Sequence, residues 1–134
     1  MIEEAGRPEE SPMKRILLVE DDPDIVGSLA MLLAEKYEVA VAADGEAARR
    51  RVAAGPFDLI LMDLIMPVVD GEGLVRALRM KKDKTPLLIM SAVANLLDRA
   101  KALNIDQYIE KPFHIDDLEV RIEGMIHPSR PAGG

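Results

Sequence analysis

The chain has 134 residues, which is the length of about one domain at the usual scale of roughly 150 residues. It contains no cysteine, which excludes disulfides, a catalytic thiol and thiolate metal sites, and its net charge of −7 argues against direct binding to nucleic acid. No apolar run approaches the roughly 20 residues of a membrane span and the N-terminus is acidic, unlike a signal peptide, so we expect a cytoplasmic protein with no membrane partner.

Both ends of the sequence are predicted to be disordered tails that flank a folded unit of residues 13–127. Residues 1–12 contain four glutamates against one arginine, two prolines and few apolar side chains. Residues 128–134 contain two prolines and end in Gly-Gly. Neither segment carries enough apolar surface to offset the entropy lost on packing.

Strand and helix patterns alternate five times between these tails. Short apolar or alternating runs predict strands at residues 15–19, 37–41, 57–62, 86–90 and 107–109. Each is followed by apolar residues at helical spacing, and Asp22-Pro23 and Asp44-Gly45 are typical of helix starts. This alternation predicts an α/β fold in which a doubly wound, five-stranded parallel sheet has helices on both faces.

Polar side chains follow the predicted strands where the carboxyl ends of a parallel sheet form one edge, the usual place for chemistry in such folds. The set is Glu20, Asp21, Asp22, Asp63, Ser91 and Lys111. Clustered carboxylates repel one another unless a cation joins them, and oxygen ligands suit Mg²⁺. A carboxylate beside such an ion can attack phosphorus, so these residue types predict phosphoryl transfer onto an aspartate, with Asp22 mainly a helix cap.

Four segments together resemble the bacterial two-component response-regulator receiver domain. They are residues 17–23 (LLVEDDP), 61–71 (LMDLIMPVVDG), 90–92 (MSA) and 108–113 (YIEKPF). They occur in order and at nearly normal spacing, and the resemblance covers residues 13–127. It implies a flavodoxin-like (βα)5 fold with strand order 2-1-3-4-5.

The resemblance also implies a role for each matching residue. Asp63 would be the phosphoacceptor, with Lys111 paired to it at rest and to the phosphoryl group afterwards. Ser91 would bind a phosphoryl oxygen and Tyr108 would follow it inward as a switch, and the Lys111–Pro112 peptide would be cis. The implied Mg²⁺ ligands are Glu20, Asp21, Asp63 and the backbone carbonyl of Ile65.

The partners implied by the resemblance are proteins. A sensor histidine kinase or phosphotransfer protein would donate the phosphoryl group, and an unidentified downstream protein would receive the signal. A homodimer through the face of helix four, strand five and helix five is a further contact that the resemblance implies. We expect no enzyme activity beyond self-phosphorylation and slow autodephosphorylation, and we expect a stand-alone, single-domain receiver.

Three alternatives remain open at this point. The chain could be a receiver excised from a longer response regulator or hybrid kinase. It could be an aspartyl-nucleophile phosphohydrolase, but that class needs a carboxylate two residues after the nucleophile, where Ile65 stands. An interaction module that is never phosphorylated should have lost Asp63, Asp21 or Lys111, and all three are present.

Two further features of the sequence are the short segment before strand five and two basic clusters. The segment from Ser91 to Lys111 is about two residues shorter than is usual in the family, and Asn104 replaces the usual glycine before strand five. Asparagine tolerates a left-handed conformation, so we expect the turn to survive. The basic clusters at residues 49–51 and 81–84 are interpreted as solvated helix faces.

Overall fold

The structure, a computed structural model, describes residues 13–64, 71–81, 84–92, 95–105 and 107–127. Within these residues, five strands alternate with five helices. In chain order they are β1 (Arg15–Val19), α1 (Pro23–Leu33), β2 (Glu38–Ala42), α2 (Gly45–Ala54), β3 (Leu59–Asp63), α3 (Gly71–Met80), β4 (Leu87–Ser91), α4 (Leu96–Ala102), β5 (Tyr108–Glu110) and α5 (Ile115–Ile126). The predicted tails, 1–12 and 128–134, lie outside the described residues.

The strands form one parallel sheet in the order β2-β1-β3-β4-β5, which confirms the predicted fold and strand order. All five residues of β3 and of β4 are buried, as expected for strands covered by helices on both faces. In the part of the chain that the structure describes, each helix is too short or too polar to cross a bilayer.

The last four predicted strands are displaced from the observed ones by one or two residues. β3 extends through Asp63, which lies opposite Met90, and β4 extends through Ser91, which lies opposite Glu110. An apolar run therefore places the ends of β3 and β4 too early, because backbone pairing continues through a polar residue. Both polar side chains consequently belong to the sheet rather than to the loops that follow it.

Two aliphatic cores cover the two faces of the sheet. Residues of α2, α3 and α4, such as Ala48, Leu78 and Ala100, pack on one face. Residues of α1 and α5, such as Leu29 and Ile122, pack on the other. The two layers bury the hydrophobic face of every helix and orient the carboxyl ends of the strands towards one edge.

Side-chain caps begin the first two helices where the sequence predicts them. Asp22 Oδ1 accepts a hydrogen bond from the Asp24 N–H at 2.9 Å, and Pro23 occupies the first turn of α1. Asp44 Oδ1 accepts a hydrogen bond from the Ala47 N–H at 2.8 Å. Each cap satisfies a backbone donor that has no partner within its helix.

Asn104 has a φ of 59°, which confirms the left-handed turn predicted before β5. Its N–H donates to the Lys101 carbonyl at 3.1 Å, so the turn closes the end of α4. Asparagine and glycine adopt this conformation more readily than other residues, whereas a β-branched side chain is strained there.

We therefore expect Asn104→Val to lower the free energy of unfolding by about 1–2 kcal/mol, because its β-branched side chain is disfavoured at this φ. Asn104→Gly should change stability by less than about 0.5 kcal/mol, since glycine adopts positive φ without steric cost. Urea denaturation at neutral pH measures both values. Equal stability of the two variants would contradict this explanation of the turn.

Tyr37 joins the start of β2 to α5 through a buried contact. Its hydroxyl donates to Glu123 Oε1 at 3.0 Å, and the residue is 6% exposed. Burial, the hydrogen bond to Glu123 and the negative charges of Glu123 and Glu119 raise the pKa of Tyr37 from 10.0 to about 12. The fold therefore favours the protonated phenol, a contribution to stability that is present below pH 10 and is lost as the pH rises towards 12.

The Tyr108→Phe variant tests this expectation, because the chain has two tyrosines and no tryptophan. Its tyrosinate absorbance should rise with a midpoint near 12 in the folded protein and near 10 in urea. Far-ultraviolet circular dichroism over the same pH range reports whether the protein stays folded. A midpoint near 10 with a native spectrum would refute the buried contact.

Candidate functional site

One ammonium group bridges two carboxylates at the carboxyl edge of the sheet. Lys111 Nζ donates to Asp63 Oδ2 at 2.8 Å and to Glu20 Oε1 at 2.9 Å. Glu20 is 1% exposed and Asp63 is 8% exposed, so both negative charges are held away from solvent. An ion of opposite charge at hydrogen-bond distance offsets part of the cost of burying such carboxylates.

The three residues meet because three parallel strands, β1, β3 and β5, end at the same edge of the sheet. Glu20 follows β1, and its N–H continues the pairing by donating to the Ala42 carbonyl at 3.1 Å. Asp63 is the last residue of β3, the neighbour of β1. Lys111 follows β5, and its N–H donates to the Ser91 carbonyl at 2.8 Å. Backbone hydrogen bonds therefore fix the direction from which each side chain enters the site.

Two opposing influences act on the Lys111 ammonium. Burial, the largest single one, lowers the pKa of Lys111, but the hydrogen bonds and negative charges of Asp63 and Glu20 together outweigh it. The net pKa of Lys111 lies above its ordinary value of 10.5. Lys111 is therefore a charged ammonium throughout the physiological pH range and stabilises the two carboxylates as a permanent cation.

Glu20 uses both of its carboxylate oxygens. Oε1 accepts from Lys111, and Oε2 accepts from the Asp22 N–H at 3.1 Å. Asp21, the residue between them, is exposed, and Asp22 caps α1. The sequence predicted Lys111 as a partner of Asp63, but it did not predict the contact of Lys111 with Glu20. The available signal was that Glu20 directly follows the continuous apolar run Ile16–Val19.

The two predicted switch residues lie on the adjoining strands. Ser91 is the buried last residue of β4, next to β3 in the sheet. Tyr108 begins β5, is half-buried and lies opposite Ile89. The Lys111–Pro112 peptide is cis, as the resemblance implies. Ile65, predicted to offer its backbone carbonyl to a metal, lies outside the described residues.

The carboxylates present fit a hard divalent cation. Across the described ranges, no three His, Cys, Asp or Glu side chains form a ready-made metal cluster. Mg²⁺ does not require one, because it binds through one or two carboxylates and keeps several waters. Glu20 and Asp63 supply two such carboxylates around one shared cation, Lys111, and the exposed Asp21 lies directly after Glu20 in the chain.

An apolar recess of about 600 Å³ lies beside the bridge, between α1 and the connection from β5 to α5. Ile25, Leu29 and Phe113 contribute apolar walls, and Lys111 lies at its edge. The sequence does not predict this recess, since its walls come from segments far apart in the chain. It offers a protein partner apolar contact directly next to the buried charges.

Comparison with known proteins identifies relatives along most of the chain. A family described as "Response regulator receiver domain" matches residues 16–123. The cell cycle response regulator CtrA of Brucella ovis is 37% identical over 119 residues, which cover 87% of this chain and 51% of CtrA. The chain thus spans about half the length of the curated relatives that it matches.

Two solved structures show the same fold and hold magnesium. The response regulator protein TrrA of Thermotoga maritima, in complex with Mg²⁺-BeF, is 31% identical with a TM-score of 0.75, covering 84% of this chain and 99% of TrrA. A sensor histidine kinase receiver domain of Pseudomonas aeruginosa, with magnesium in its active site cleft, is 31% identical with a TM-score of 0.78, covering 86% of this chain and 98% of that domain.

Removing the Lys111 ammonium should destabilise the fold, because the carboxylates of Glu20 and Asp63 would lose the cation that they contact. We expect Lys111→Met to lower the free energy of unfolding by about 2–3 kcal/mol at pH 7, because two buried charges lose their cation. Adding Glu20→Gln to that variant should recover about 1 kcal/mol, since only one carboxylate is then left unpaired.

Urea denaturation of the two single variants and the double variant measures this coupling. The exposed Lys36→Met serves as the matched control and should change stability by less than about 0.5 kcal/mol. Strictly additive effects of Lys111→Met and Glu20→Gln would show that the bridge carries no coupling energy.

Proposed function

Since this chain belongs to the response regulator receiver domain family, whose members are phosphorylation-switched modules of two-component signalling, we propose that Asp63 is its phosphoacceptor. We propose a phosphohistidine on a sensor histidine kinase or phosphotransfer protein as the donor. The observation that carries the proposal is the bridge from Lys111 Nζ to Asp63 Oδ2 and Glu20 Oε1, at 2.8 and 2.9 Å.

The proposed reaction is a single phosphoryl transfer. A carboxylate oxygen of Asp63 forms a bond to phosphorus, and the bond from phosphorus to the histidine nitrogen breaks, which leaves an acyl phosphate on Asp63 and a neutral imidazole on the donor after protonation. The burial of Asp63 supports this role, because few waters compete with the phosphoryl donor.

Lys111 is the charge-stabilising residue in this proposal. Its ammonium already contacts Asp63, so a phosphoryl group on Asp63 would bring anionic oxygens within reach of the same cation. Glu20 keeps Lys111 in place through the second contact. We propose that Glu20, Asp21 and Asp63 hold Mg²⁺, with the backbone carbonyl of Ile65, and the ion when bound neutralises charge on the transferring group.

We propose that Ser91 and Tyr108 transmit the effect of Asp63 phosphorylation to the protein surface. The position of Ser91 at the end of β4, one strand from Asp63, supports a hydrogen bond from its hydroxyl to a phosphoryl oxygen. Tyr108 lies on the strand next to Ser91 and is only half-buried, which supports a switch in which its ring follows Ser91 inward. The charge of the phosphoryl group on Asp63 would in this way favour one of two conformations of the surface formed by α4, β5 and α5.

The surface next to Tyr108 is the proposed output face for a downstream protein or for a second copy of the chain. It carries exposed apolar side chains on α4 and α5, namely Leu97, Ile115 and Val120. The recess of about 600 Å³ beside Lys111 is the proposed contact for the donor protein. Each surface offers the apolar patch that protein partners use.

Incubation with acetyl phosphate and Mg²⁺, followed by intact-mass measurement, tests the proposal. The wild-type chain should gain one phosphoryl group, and Asp63→Asn should gain none, because an amide is not a nucleophile towards phosphorus. EDTA should prevent the gain in the wild type. Sedimentation of the phosphorylated sample then reports whether a homodimer forms.

Two neighbouring aspartates supply the matched comparison. Asp21→Asn should slow the mass gain strongly, since it removes a proposed Mg²⁺ ligand. Asp22→Asn should leave the gain and the stability nearly unchanged, because asparagine caps a helix as well as aspartate does. A mass gain in Asp63→Asn equal to that of the wild type would overturn the assignment.

A further inference from the structure

A shallow groove runs between α2 and α3, on the face of the sheet opposite α1 and α5. The two helices pack against each other, and the groove between them has a volume of about 150 Å³. Its lining consists of four apolar side chains and two cations: Val52, Ala53, Ala77, Leu78, Arg49 and Lys81. An apolar floor with basic rims is suited to a segment that combines acidic and apolar side chains.

The surroundings of the groove extend the positive charge. One member of each basic cluster of the sequence, Arg49 and Lys81, lines this groove, and all the described members of both clusters are exposed. Within the described residues, α2 and the last part of α3 with the residues that follow it carry the cations Arg49, Arg50, Arg51, Arg79, Lys81 and Lys84, whereas Arg76 lies on the side of α3 that faces α4. Met80, at the end of α3, is 84% exposed and adds apolar surface at the same end.

Arg49, which lines the groove, shares its carboxylate partner on α2 with Arg50. Glu46 contacts Arg49 at 3.2 Å and Arg50 at 3.4 Å, which leaves one carboxylate shared by two guanidinium groups. Arg51 and Arg79 lie in the last turns of α2 and α3, where a cation also interacts favourably with the helix dipole. Lys81 directly follows α3, where the same dipole favours a cation, and it lines the groove opposite Arg49.

The start of β1, which follows the acidic N-terminal segment of residues 1–12 in the chain, lies near one end of this groove. Arg15, at the start of β1, donates from Nη1 to the Pro56 carbonyl at 2.7 Å, and Pro56 lies just beyond the end of α2. Residue 13 is therefore close to the end of α2 that lines the groove. Twelve residues extend to roughly 40 Å, and the ten-residue α2 is roughly 15 Å long, so the segment is long enough to follow the groove.

The composition of the segment complements the groove. Glu3, Glu4, Glu9 and Glu10 outnumber Arg7 and oppose the basic rims, and Met1 and Ile2 provide apolar side chains next to the first two glutamates. Attachment to the same chain also gives the segment a high effective concentration at the groove, so weak contacts are sufficient for occupancy. We propose that residues 1–12 dock in the α2–α3 groove of their own chain.

A single spin label tests the docking, because the chain has no native cysteine. The full chain carrying Ala5→Cys with a nitroxide should lose most of its amide signal intensity at Ala53 and Ala77, and little at α1 and α5. The same label in a chain with Glu3, Glu4, Glu9 and Glu10 changed to glutamine should cause no such loss. In 1 M salt the loss should also vanish, since screening then acts over about 3 Å.

Charge reversal of the groove supplies the matched controls. Arg49→Glu with Lys81→Glu should abolish the loss, whereas Lys36→Glu with Arg121→Glu, at exposed positions outside the groove, should retain it. Persistence of the loss in the glutamine or groove variants would overturn the proposal. A loss in isotope-labelled chains without nitroxide, mixed with spin-labelled chains, would show docking on a second copy and would overturn it as well.

Discussion

The site depends on one ammonium group that neutralises two carboxylates at the end of a parallel sheet. Lys111 can do this only if β1, β3 and the end of β5 terminate at the same edge, which the strand order and the backbone pairing ensure. The three consecutive acidic residues at this edge differ in their surroundings. Glu20 is buried and holds Lys111, Asp21 is exposed, and Asp22 begins a helix.

Charge is distributed unevenly between the two helical layers. On one side of the sheet, α5 carries four carboxylates, Asp116, Asp117, Glu119 and Glu123, against Arg121. On the other side, α2 carries three arginines against Glu46. The net charge of −7 belongs to the whole chain, and it therefore combines acidic regions, such as α5 and the N-terminal segment, with basic regions such as α2. A uniform acidic surface would be a wrong description, since the local fields of the two layers have opposite signs.

Local sequence signals predicted most of the fold and part of the site. Apolar runs identified the strands, and Asp22-Pro23 and Asp44-Gly45 identified helix starts, because these signals act between residues close in the chain. The strand ends were displaced because an apolar run does not include a polar residue that still pairs. The contact between Glu20 and Lys111 and the basic groove could not be predicted, since each unites segments whose proximity only the folded sheet creates.

The backbone pairing of Asp63 has a consequence for how any change at this residue spreads. Its main chain is a rung of the ladder between β3 and β4, opposite Met90, and the strands on both sides are buried. A group attached to Asp63 therefore cannot be accommodated by shifting the strand without breaking the sheet. The response therefore has to begin as rotation about side-chain bonds at the edge of the sheet, before any strand of the sheet moves.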